Sequence, residues 1–183
     1  MDNTRIGKFI ALILRHDPGR IGISLDAHGW ADTRDLIAGI RLTYPEFNMQ
    51  VLEEIVASDN KSRFVFSPGK TKIRACQGHS INVDVDLKKT APPPALFHGT
   101  ATRFLDSIMR DGINSGSRLY VHLSRDEETA QKVGSRHGKP AVLRVDTAQM
   151  AADGYEFYLS ENGIFLTKFV PAQYLRVCAF PRE

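Results

Sequence analysis

The sequence predicts an α+β fold made of two lobes that are joined by a short proline-rich segment. Apolar residues recur at helical spacing through residues 6–56, and from residue 64 onward they alternate as in β-strands. The run Lys88-Lys89-Thr90-Ala91 then leads into three consecutive prolines, Pro92 to Pro94. Consecutive prolines donate no backbone hydrogen bonds and favour an extended spacer. We therefore predict an N-terminal lobe over residues 1–88 and a C-terminal lobe over residues 95–183.

Three short helices are expected in the first lobe. An apolar stripe from Ile6 to Ile13 predicts the first helix, which Pro18-Gly19 would end. Asp32 has a suitable side chain to cap a second helix that reaches Ile40, and Asn48 has one to cap a third helix that reaches Val56.

A β-hairpin is predicted after the helices. Phe64 and Phe66 alternate with smaller neighbours, Pro68-Gly69 forms the turn, and Ile73 and Ala75 alternate again. Three helices followed by a hairpin make a winged-helix pattern, which often holds nucleic acid. Residues 81–87 predict one more strand, which leads to the proline-rich segment.

The second lobe is predicted to mix helices and strands. A strand at Leu96-Phe97 precedes a helix around residues 104–108, which Gly112 would end. Ser124 and Glu127 have the spacing of a capping box and predict the start of another helix. Further strands are expected over residues 121–124, 141–145, 155–159, 164–170 and 175–180.

Composition excludes several classes of protein. The 183 residues are 42% hydrophobic and 25% charged, close to the average of soluble globular proteins, with a net charge of +3. No apolar run approaches the roughly 20 residues that span a bilayer, and the N-terminus lacks the features of a signal peptide. Cys76 and Cys178 lie far apart without CxxC spacing, so we expect neither a disulfide nor a zinc site. A soluble, cytoplasmic protein is the expectation.

Motifs of several common enzyme classes are absent from the sequence. It contains no GxxxxGKS/T phosphate loop, no GxGxxG, no HExxH and no GxSxG. The six histidines show no spacing typical of zinc ligands. The sequence therefore gives little support to a function as an ordinary hydrolase or a metal enzyme.

Basic residues and histidines lie near the predicted ends of elements in the first lobe. Five basic residues and no acidic residue occur from Lys61 to Arg74. Arg15-His16 ends the first helix, where the helix dipole alone favours a cation. Arg74 precedes three hydrogen-bonding residues, Gln77, His79 and Ser80. A solvated surface and a surface that contacts phosphate both agree with these patterns.

Two further candidates lie in the second lobe. His98-Gly99-Thr100 follows an apolar strand and precedes a helix. Its glycine would permit close backbone approach, and its histidine and threonine would offer polar groups to a ligand. A core histidine followed by a helix cap is the alternative. Arg118 lies just before Val121-His122-Leu123-Ser124, in a segment that is equally typical of an exposed turn.

Taken in order, these segments resemble one family. Residues 14–37 are LRHDPGRIGISLDAHGWADTRDLI, 63–80 are RFVFSPGKTKIRACQGHS, 96–113 are LFHGTATRFLDSIMRDGI, 117–124 are SRLYVHLS, 133–146 are VGSRHGKPAVLRVD and 158–171 are YLSENGIFLTKFVP. Together they resemble the NAD-dependent RNA 2′-phosphotransferases, which are the KptA type in bacteria and the tRNA-splicing 2′-phosphotransferase in eukaryotes. The likeness runs from about residue 3 to about residue 178.

This resemblance implies a winged-helix lobe joined to an ADP-ribosyltransferase-like lobe, and a reaction in two steps. An oxygen of an internal RNA 2′-phosphate would attack the anomeric carbon of the nicotinamide ribose of NAD and expel nicotinamide. The ribose 2-hydroxyl of the resulting 2′-phospho-ADP-ribosyl RNA would then attack the phosphorus. The products would be an RNA 2′-hydroxyl and ADP-ribose 1″,2″-cyclic phosphate.

The resemblance also implies roles for particular residues. Arg15, His16, Arg74 and Arg118 would bind the 2′-phosphate and act in catalysis, with His16 either a general acid or a phosphate ligand. NAD, the co-substrate, would be bound by His98, Gly99, Thr100, Ser124 and Arg136. The RNA backbone would be contacted by Arg63, Lys70, Lys72 and His79. No metal is required, and a monomer is the simplest expectation.

Two other functions stay open on the sequence. The first is an ADP-ribosyltransferase that stops after one step on a protein or a terminal phosphate. Its usual glutamate would have to be Glu161, which lies in a predicted turn. The second is a non-catalytic winged-helix nucleic-acid binder that senses NAD. Against it, the third helix carries Glu53 and Glu54 and no basic residue, which disfavours contact with DNA.

Overall fold

The protein has a mixed α/β architecture with several small antiparallel sheets. A computed structural model describes residues 2–178. The chain divides between Asp86 and Leu87 into two compact units, here called unit 1 and unit 2. Residue 1, which begins the first predicted lobe, and residues 179–183, which end the second, lie outside the described residues. None of the helices within residues 2–178 is both long and apolar enough to cross a bilayer.

Unit 1 contains three capped helices: α1 (Asn3–Arg15), α2 (Thr33–Arg41) and α3 (Met49–Ser58). The predicted caps of the last two are confirmed. The Asp32 side chain accepts hydrogen bonds from the first turn of α2, and that of Asn48 accepts one from α3. The apolar faces of the three helices form one core, which includes Ile6, Ile10, Leu36 and Leu52.

A three-stranded antiparallel sheet completes unit 1. Its strands are β1 (Ala31–Asp32), β2 (Phe64–Phe66) and β3 (Lys72–Ala75), in the order β1-β3-β2. The β2–β3 hairpin is therefore confirmed, and Gly69 occupies its turn with a φ of 75° that favours glycine. Phe64, Ile73 and Ala75 face the core of the helices, and Arg74 is the buried charged residue of β3, whereas Lys72 is exposed.

The predicted strand over residues 81–87 is wrong. These residues form no strand, and the next one, β4, contains only Lys88–Lys89. Asp86 has a φ of 55°, which is incompatible with a strand, and its backbone N–H donates to the Asp84 carboxylate at 3.0 Å. This local turn outweighs the alternation of apolar residues.

Unit 2 combines three small sheets with three helices. Its strands and helices, in chain order, are β4, β5 (Leu96–Ala101), α4 (Leu105–Asp111), β6 (Ile113–Asn114), β7 (Val121–Leu123), α5 (Glu127–Gly134), β8 (Pro140–Val145), α6 (Thr147–Ala152), β9 (Tyr158–Leu159), β10 (Phe165–Thr167), β11 (Phe169–Val170) and β12 (Leu175–Val177). The sheet orders are β12-β8-β5, β4-β9-β10-β7 and β11-β6. Apolar residues of β5, β7, β8 and β10 form the core.

Several predictions for unit 2 need correction. Of the predicted strand over residues 155–159, only Tyr158–Leu159 is a strand. His98-Gly99-Thr100 do not follow a strand but lie within β5, which continues to Ala101. Ser124 does not cap α5, because the cap is Asp126, whose carboxylate accepts from the Thr129 N–H at 2.7 Å. The backbone of Ser124 instead pairs with Phe97. The predicted strand over residues 164–170 is two strands, and of the strand over 175–180 the first three residues form β12, whereas residues 179 and 180 lie outside the described residues. Helix α4 ends at Gly112 as predicted.

Candidate functional site

A basic cluster occupies one end of unit 1, where α1 ends close to the segment that follows β3. His16 caps the C-terminus of α1, and its Nδ1 lies 2.9 Å from the hydroxyl oxygen of Ser80. The Ser80 N–H donates to the carbonyl of Arg15 at 3.0 Å. A Cβ placed on Gly78 would lie 3.4 Å from the guanidinium carbon of Arg15. The side chain of Arg15 therefore lies directly over the backbone of Gly78.

His79 lies in the interior of this cluster. Only 3% of the residue is exposed, and its Nε2 has no hydrogen-bond partner within residues 2–178. Burial, followed by the charges of Arg15, His16 and Arg74, lowers the pKa of His79 to about 4. The ring is therefore neutral near pH 7. It retains a buried polar nitrogen surrounded by cationic groups, an environment suited to an anion.

Arg74 projects from β3 into the same region and is 4% exposed. Its Nη1 donates to the carboxylate of Asp86 at 2.9 Å and to the carbonyl of His28 at 3.3 Å. The centre of the guanidinium lies 4.5 Å from the ring of Trp30. The hydrogen bond from Arg74, with the charges of Arg74 and His28, lowers the pKa of the Asp86 carboxyl. A buried permanent cation is thus held by an acid, a carbonyl and an aromatic face.

The structure brings four of the sequence-predicted residues together in unit 1: Arg15, His16, Arg74 and His79. The charges of Arg15, His16 and Arg74 all lower the pKa of His79, which agrees with their lying near its ring. Sequence reasoning missed His28, Trp30 and Asp86, because they come from turns far from Arg74 in the chain. The only available signals were the AHGW segment and the pair of aspartates, Asp84 and Asp86, before the proline-rich segment.

The other predicted RNA contacts of unit 1 have acidic partners. Arg63 makes a two-pronged ion pair with Asp59, with Nη2 to Oδ1 at 2.8 Å. Lys70 lies 2.9 Å from Glu53, and Lys72 lies 2.9 Å from Asp26. The basic run therefore has acidic partners supplied by other parts of unit 1. Contact of Arg63, Lys70 and Lys72 with RNA stays a prediction.

In unit 2, strands β5 and β7 bring His98 close to Ser124. The neighbouring Phe97 exchanges two backbone hydrogen bonds with Ser124, at 2.9 and 2.7 Å. The Nδ1 of His98 lies 3.2 Å from the carbonyl oxygen of His122. A carbonyl only accepts, so Nδ1 carries the proton and Nε2 is the acceptor in the neutral ring. Burial lowers the pKa of His98, which favours this neutral form.

Gly99 has a packing role that the sequence did not indicate. A Cβ at this position would lie 1.7 Å from the carbonyl oxygen of Ala130 in α5. A Cβ at Gly134 would lie 2.5 Å from the carbonyl oxygen of Thr100. The two glycines let α5 lie directly against β5. Binding of NAD by Gly99 stays a prediction, and the face that its missing side chain leaves open is filled by the helix.

Replacing Gly99 with alanine should destabilise the fold strongly. The added methyl group would overlap the Ala130 carbonyl oxygen, so α5 must move away from β5. Overpacking costs typically about 1–3 kcal/mol and more where backbone must shift, and we expect a loss of about 3 kcal/mol or more in free energy of unfolding. Urea or thermal denaturation checks this. Gly19→Ala is the control, because a Cβ there meets only Asp17 Oδ1, at 4.0 Å. Equal stability of both variants and the parent would contradict the close packing of α5.

Two arginines lie near one another on the surface of unit 2. Arg118 is in a turn whose backbone N–H donates to Ser115 at 3.2 Å, and Arg136 is in the short 3₁₀ helix after α5. Both side chains are exposed, yet surrounding protein atoms, followed by the charge of Arg136, lower the pKa of Arg118. The pair is a region of positive potential suited to phosphate groups. Glu161, by contrast, is an exposed residue of the turn from Ser160 to Gly163.

Comparison with known proteins identifies related sequences over most of the chain. The model of a family described as "RNA 2'-phosphotransferase, Tpt1 / KptA family" matches residues 1–169. A protein of Fusobacterium nucleatum named probable RNA 2′-phosphotransferase is 49% identical over 178 residues, covering 96% of this chain and 99% of its own. Proteins of the same name from Agrobacterium fabrum and Hahella chejuensis are 50% and 51% identical, covering 97% and 92% of this chain and 95% and 90% of their own.

Proposed function

The chain belongs to the Tpt1/KptA family of RNA 2′-phosphotransferases, and from that premise we propose that it transfers an internal RNA 2′-phosphate to NAD. The observation that carries the proposal is the cluster of Arg15, His16 and Arg74 around the buried ring of His79. An internal 2′-phosphate is a dianion beside a phosphodiester. Arginine gives planar, permanently charged contacts to such oxygens.

We assign the 2′-phosphate to this cluster of unit 1. The close contact of Arg15 with Gly78 and the three contacts of Arg74 fix both guanidinium groups in place. Fixed donors pay little further conformational entropy when an anion binds. Lys70, Lys72 and Arg63 would add weaker contacts to the RNA backbone, with affinity that falls as salt rises.

We assign NAD to His98, Gly99, Thr100, Ser124 and Arg136 of unit 2. The protonated Nδ1 of His98 makes Nε2 an acceptor, which suits a ribose hydroxyl. Ser124 lies on the neighbouring strand end and offers a second hydroxyl group. Arg136, beside Arg118, would contact the pyrophosphate. These contacts are supported by the local geometry and by the family resemblance.

The proposed chemistry proceeds in two steps. A 2′-phosphate oxygen forms a bond to the anomeric carbon of the nicotinamide ribose, and the bond to the nicotinamide nitrogen breaks. The nucleophile is already ionised, so this step depends on positioning. In the second step the ribose 2-hydroxyl of the 2′-phospho-ADP-ribosyl RNA loses its proton to solvent and attacks phosphorus, the bond to the RNA 2′-oxygen breaks, and that oxygen takes up a proton. Charge builds on the phosphoryl oxygens, where Arg74 and Arg118 would stabilise it.

In this proposal His16 either donates a proton or orients the phosphate. The departing RNA 2′-oxygen needs a proton, and the arginines stay charged throughout. His79 is neutral near pH 7 because its pKa is about 4. His16 is exposed and lies at the edge of the cluster, oriented through Nδ1 by Ser80. It protonates the departing oxygen, or orients the phosphate if water supplies the proton.

The fold of each unit agrees with the ligand assigned to it, which is the 2′-phosphate for unit 1 and NAD for unit 2. Three helices followed by the β2–β3 hairpin in unit 1 agree with a winged-helix lobe, and the paired strands β5, β8 and β12 of unit 2 agree with an ADP-ribosyltransferase-like lobe. Both fold assignments are part of the proposal, as are the cytoplasmic location and the monomeric state.

The test uses a short RNA with one internal 2′-phosphate, incubated with and without NAD and followed by mass analysis of both products. We expect the RNA to lose one phosphate only when NAD is present, with formation of ADP-ribose 1″,2″-cyclic phosphate. Loss of phosphate without NAD would contradict the co-substrate. An RNA that gains ADP-ribose and reacts no further would favour the one-step transferase. Unchanged RNA together with NAD binding would favour the NAD-sensing nucleic-acid binder.

A further inference from the structure

A groove in unit 1 lies where the N-terminal halves of α2 and α3 meet the turn of the β2–β3 hairpin. It is here called the hairpin groove and is lined by Thr33, Arg34 and Ile37 of α2, Met49 and Glu53 of α3, and residues 69–71 of the turn. The N–H of Thr33 donates to the carbonyl of Thr71 at 2.9 Å, which joins α2 to the turn. The volume of the groove is about 390 Å³, within the range of small-molecule sites.

The side chains that line the hairpin groove are of two kinds. Ile37 and Met49 are half-buried and pack against the core of unit 1, so they present apolar surface to the groove. Arg34 and Lys70 are exposed and cationic. A nucleotide has the same two parts, because its base offers an apolar face and its phosphate a negative charge. Nucleic-acid sites combine apolar contact to bases with basic side chains along the backbone in the same way.

Both cations of the hairpin groove are available to an anion at low cost. The Lys70 side chain is 53% exposed and lies 2.9 Å from Glu53, whose side chain is 40% exposed. Exposed ion pairs of this kind contribute little to stability, so Lys70 exchanges its carboxylate for a phosphate easily. The Arg34 side chain is 91% exposed, and its Nε lies 3.8 Å from the Asp32 carboxylate, which is longer than a hydrogen bond.

Thr33 supplies a second observation at the same place. The residue is 3% exposed, and its hydroxyl oxygen has no hydrogen-bond partner within residues 2–178. An unpaired buried hydroxyl group is costly and calls for a partner from outside the chain. A hydrogen bond with a ligand in the hairpin groove would recover that cost.

The hairpin groove lies close to the cluster that is assigned to the 2′-phosphate. Thr71 lies three residues before Arg74, and three residues span at most about 11 Å. Lys72, between them, is exposed. A stacked single strand advances about 3.4 Å per nucleotide. An RNA whose 2′-phosphate lies at Arg74 therefore reaches the groove within about three nucleotides.

We propose that the hairpin groove binds a second nucleotide of the RNA substrate, within about three nucleotides of the 2′-phosphate. Its base lies against Ile37 and Met49, and its phosphodiester is held by Arg34 and Lys70. The proposal rests on the function proposed above. It adds a subsite that recognises the length of the RNA, because a substrate too short to reach the groove loses these contacts.

The measurement is equilibrium binding of two RNAs that each contain one internal 2′-phosphate. The short RNA has one nucleotide on each side of the 2′-phosphate, and the longer RNA has about six, which is more than enough to reach the hairpin groove. We expect the parent protein to bind the longer RNA about 10-fold more tightly, since one base contact is worth about that much.

Arg34→Ala tests the phosphate contact. Its side chain is almost fully exposed, so unit 1 should fold as in the parent. We expect about 5- to 10-fold weaker binding of the longer RNA, and a plot of log affinity against log salt concentration that is less steep by about 0.7. Binding of the short RNA should stay within about twofold. Arg41→Ala is the matched control, because it removes the same charge from an exposed residue at the other end of α2.

Ile37→Ala tests the base contact without a change of charge. We expect about fivefold weaker binding of the longer RNA and an unchanged salt dependence. Val56→Ala is its control, because Val56 is a half-buried residue that packs against the same core and does not line the hairpin groove. Thermal melting of each variant separates loss of binding from loss of folding.

Three results would overturn the subsite: equal affinity of the parent protein for the two RNAs, an equal effect of Arg34→Ala and Arg41→Ala on the longer RNA, or an equal effect of Arg34→Ala on both RNAs. Removal of the 2′-phosphate in the presence of NAD is followed in parallel. If the parent protein removes the phosphate but binds both RNAs alike, this inference alone fails. If the longer RNA binds more tightly through Arg34 but keeps its 2′-phosphate, the proposed function fails and the groove is still an RNA site.

Discussion

Arg74→Ala is expected to lower the rate of 2′-phosphate removal by about 10²–10³-fold, since one positioned donor to a developing oxyanion is worth about that much. Arg74 is 4% exposed and engaged by Asp86, His28 and Trp30, so no neighbouring side chain can readily take its place. Both steps of the proposed reaction use its contact to the phosphate. Single-turnover kinetics with an internally 2′-phosphorylated RNA and saturating NAD measures the effect.

Two variants serve as references for Arg74→Ala. Arg74→Lys keeps the charge but loses the planar pair of donors, and we expect it to remain at least about 10-fold slower than the parent. Lys8→Ala removes a positive charge from an exposed side chain of α1 and should leave the rate unchanged. Near-normal turnover by Arg74→Ala, in a protein that melts like the parent, would show that the phosphate binds elsewhere.

Arg118→Ala is expected to affect the second step more than the first. In the proposed reaction, Arg118 stabilises charge that develops at phosphorus only after nicotinamide has left. Its removal should slow that step by about 10²-fold, so that 2′-phospho-ADP-ribosyl RNA accumulates. A time course followed by mass spectrometry would then show the RNA gaining ADP-ribose before it loses phosphate.

Arg136→Ala and Arg110→Ala give the necessary comparison. Arg136 is assigned to NAD, so its loss should raise KM for NAD without accumulation of the intermediate. Arg110 is an exposed residue paired with Asp111, and its loss should change neither quantity. If Arg118→Ala converts the isolated intermediate as fast as the parent does, Arg118 has no part in the second step.

The local parts of the fold could be predicted from the sequence. Asp32 and Asn48 cap their helices because a cap depends on a side chain and a backbone only a few residues away. The prediction for Ser124 was wrong because α5 begins two residues later, where Asp126 caps it, while the backbone of Ser124 pairs with Phe97. Helix α6 was missed, although Asp146 caps it, because its six residues are too few to show a clear apolar period.

Only part of the candidate site could be predicted from the sequence. Arg15, His16 and Arg74 stood out because their residue types suit phosphate. The residues that hold Arg74 in place did not stand out, because Trp30 and Asp86 contact Arg74 only after the chain has folded. The basic run from Lys61 to Arg74 contains no acidic residue, yet Asp26 and Glu53, which are distant in sequence, form ion pairs with Lys72 and Lys70. Partners that are distant in sequence are set by tertiary packing, which charge patterns do not contain.

The contact between Arg74 and Trp30 also has a spectroscopic consequence. Trp30 is the only tryptophan among the 183 residues, so fluorescence excited where tyrosine does not absorb comes from one indole ring. That ring lies 4.5 Å from the guanidinium assigned to the RNA phosphate. The intensity and emission maximum of an indole depend on charges this close to it. The protein therefore carries an unlabelled optical probe beside the proposed phosphate pocket, and we expect its emission to change when an anion binds at Arg74, before any chemistry occurs.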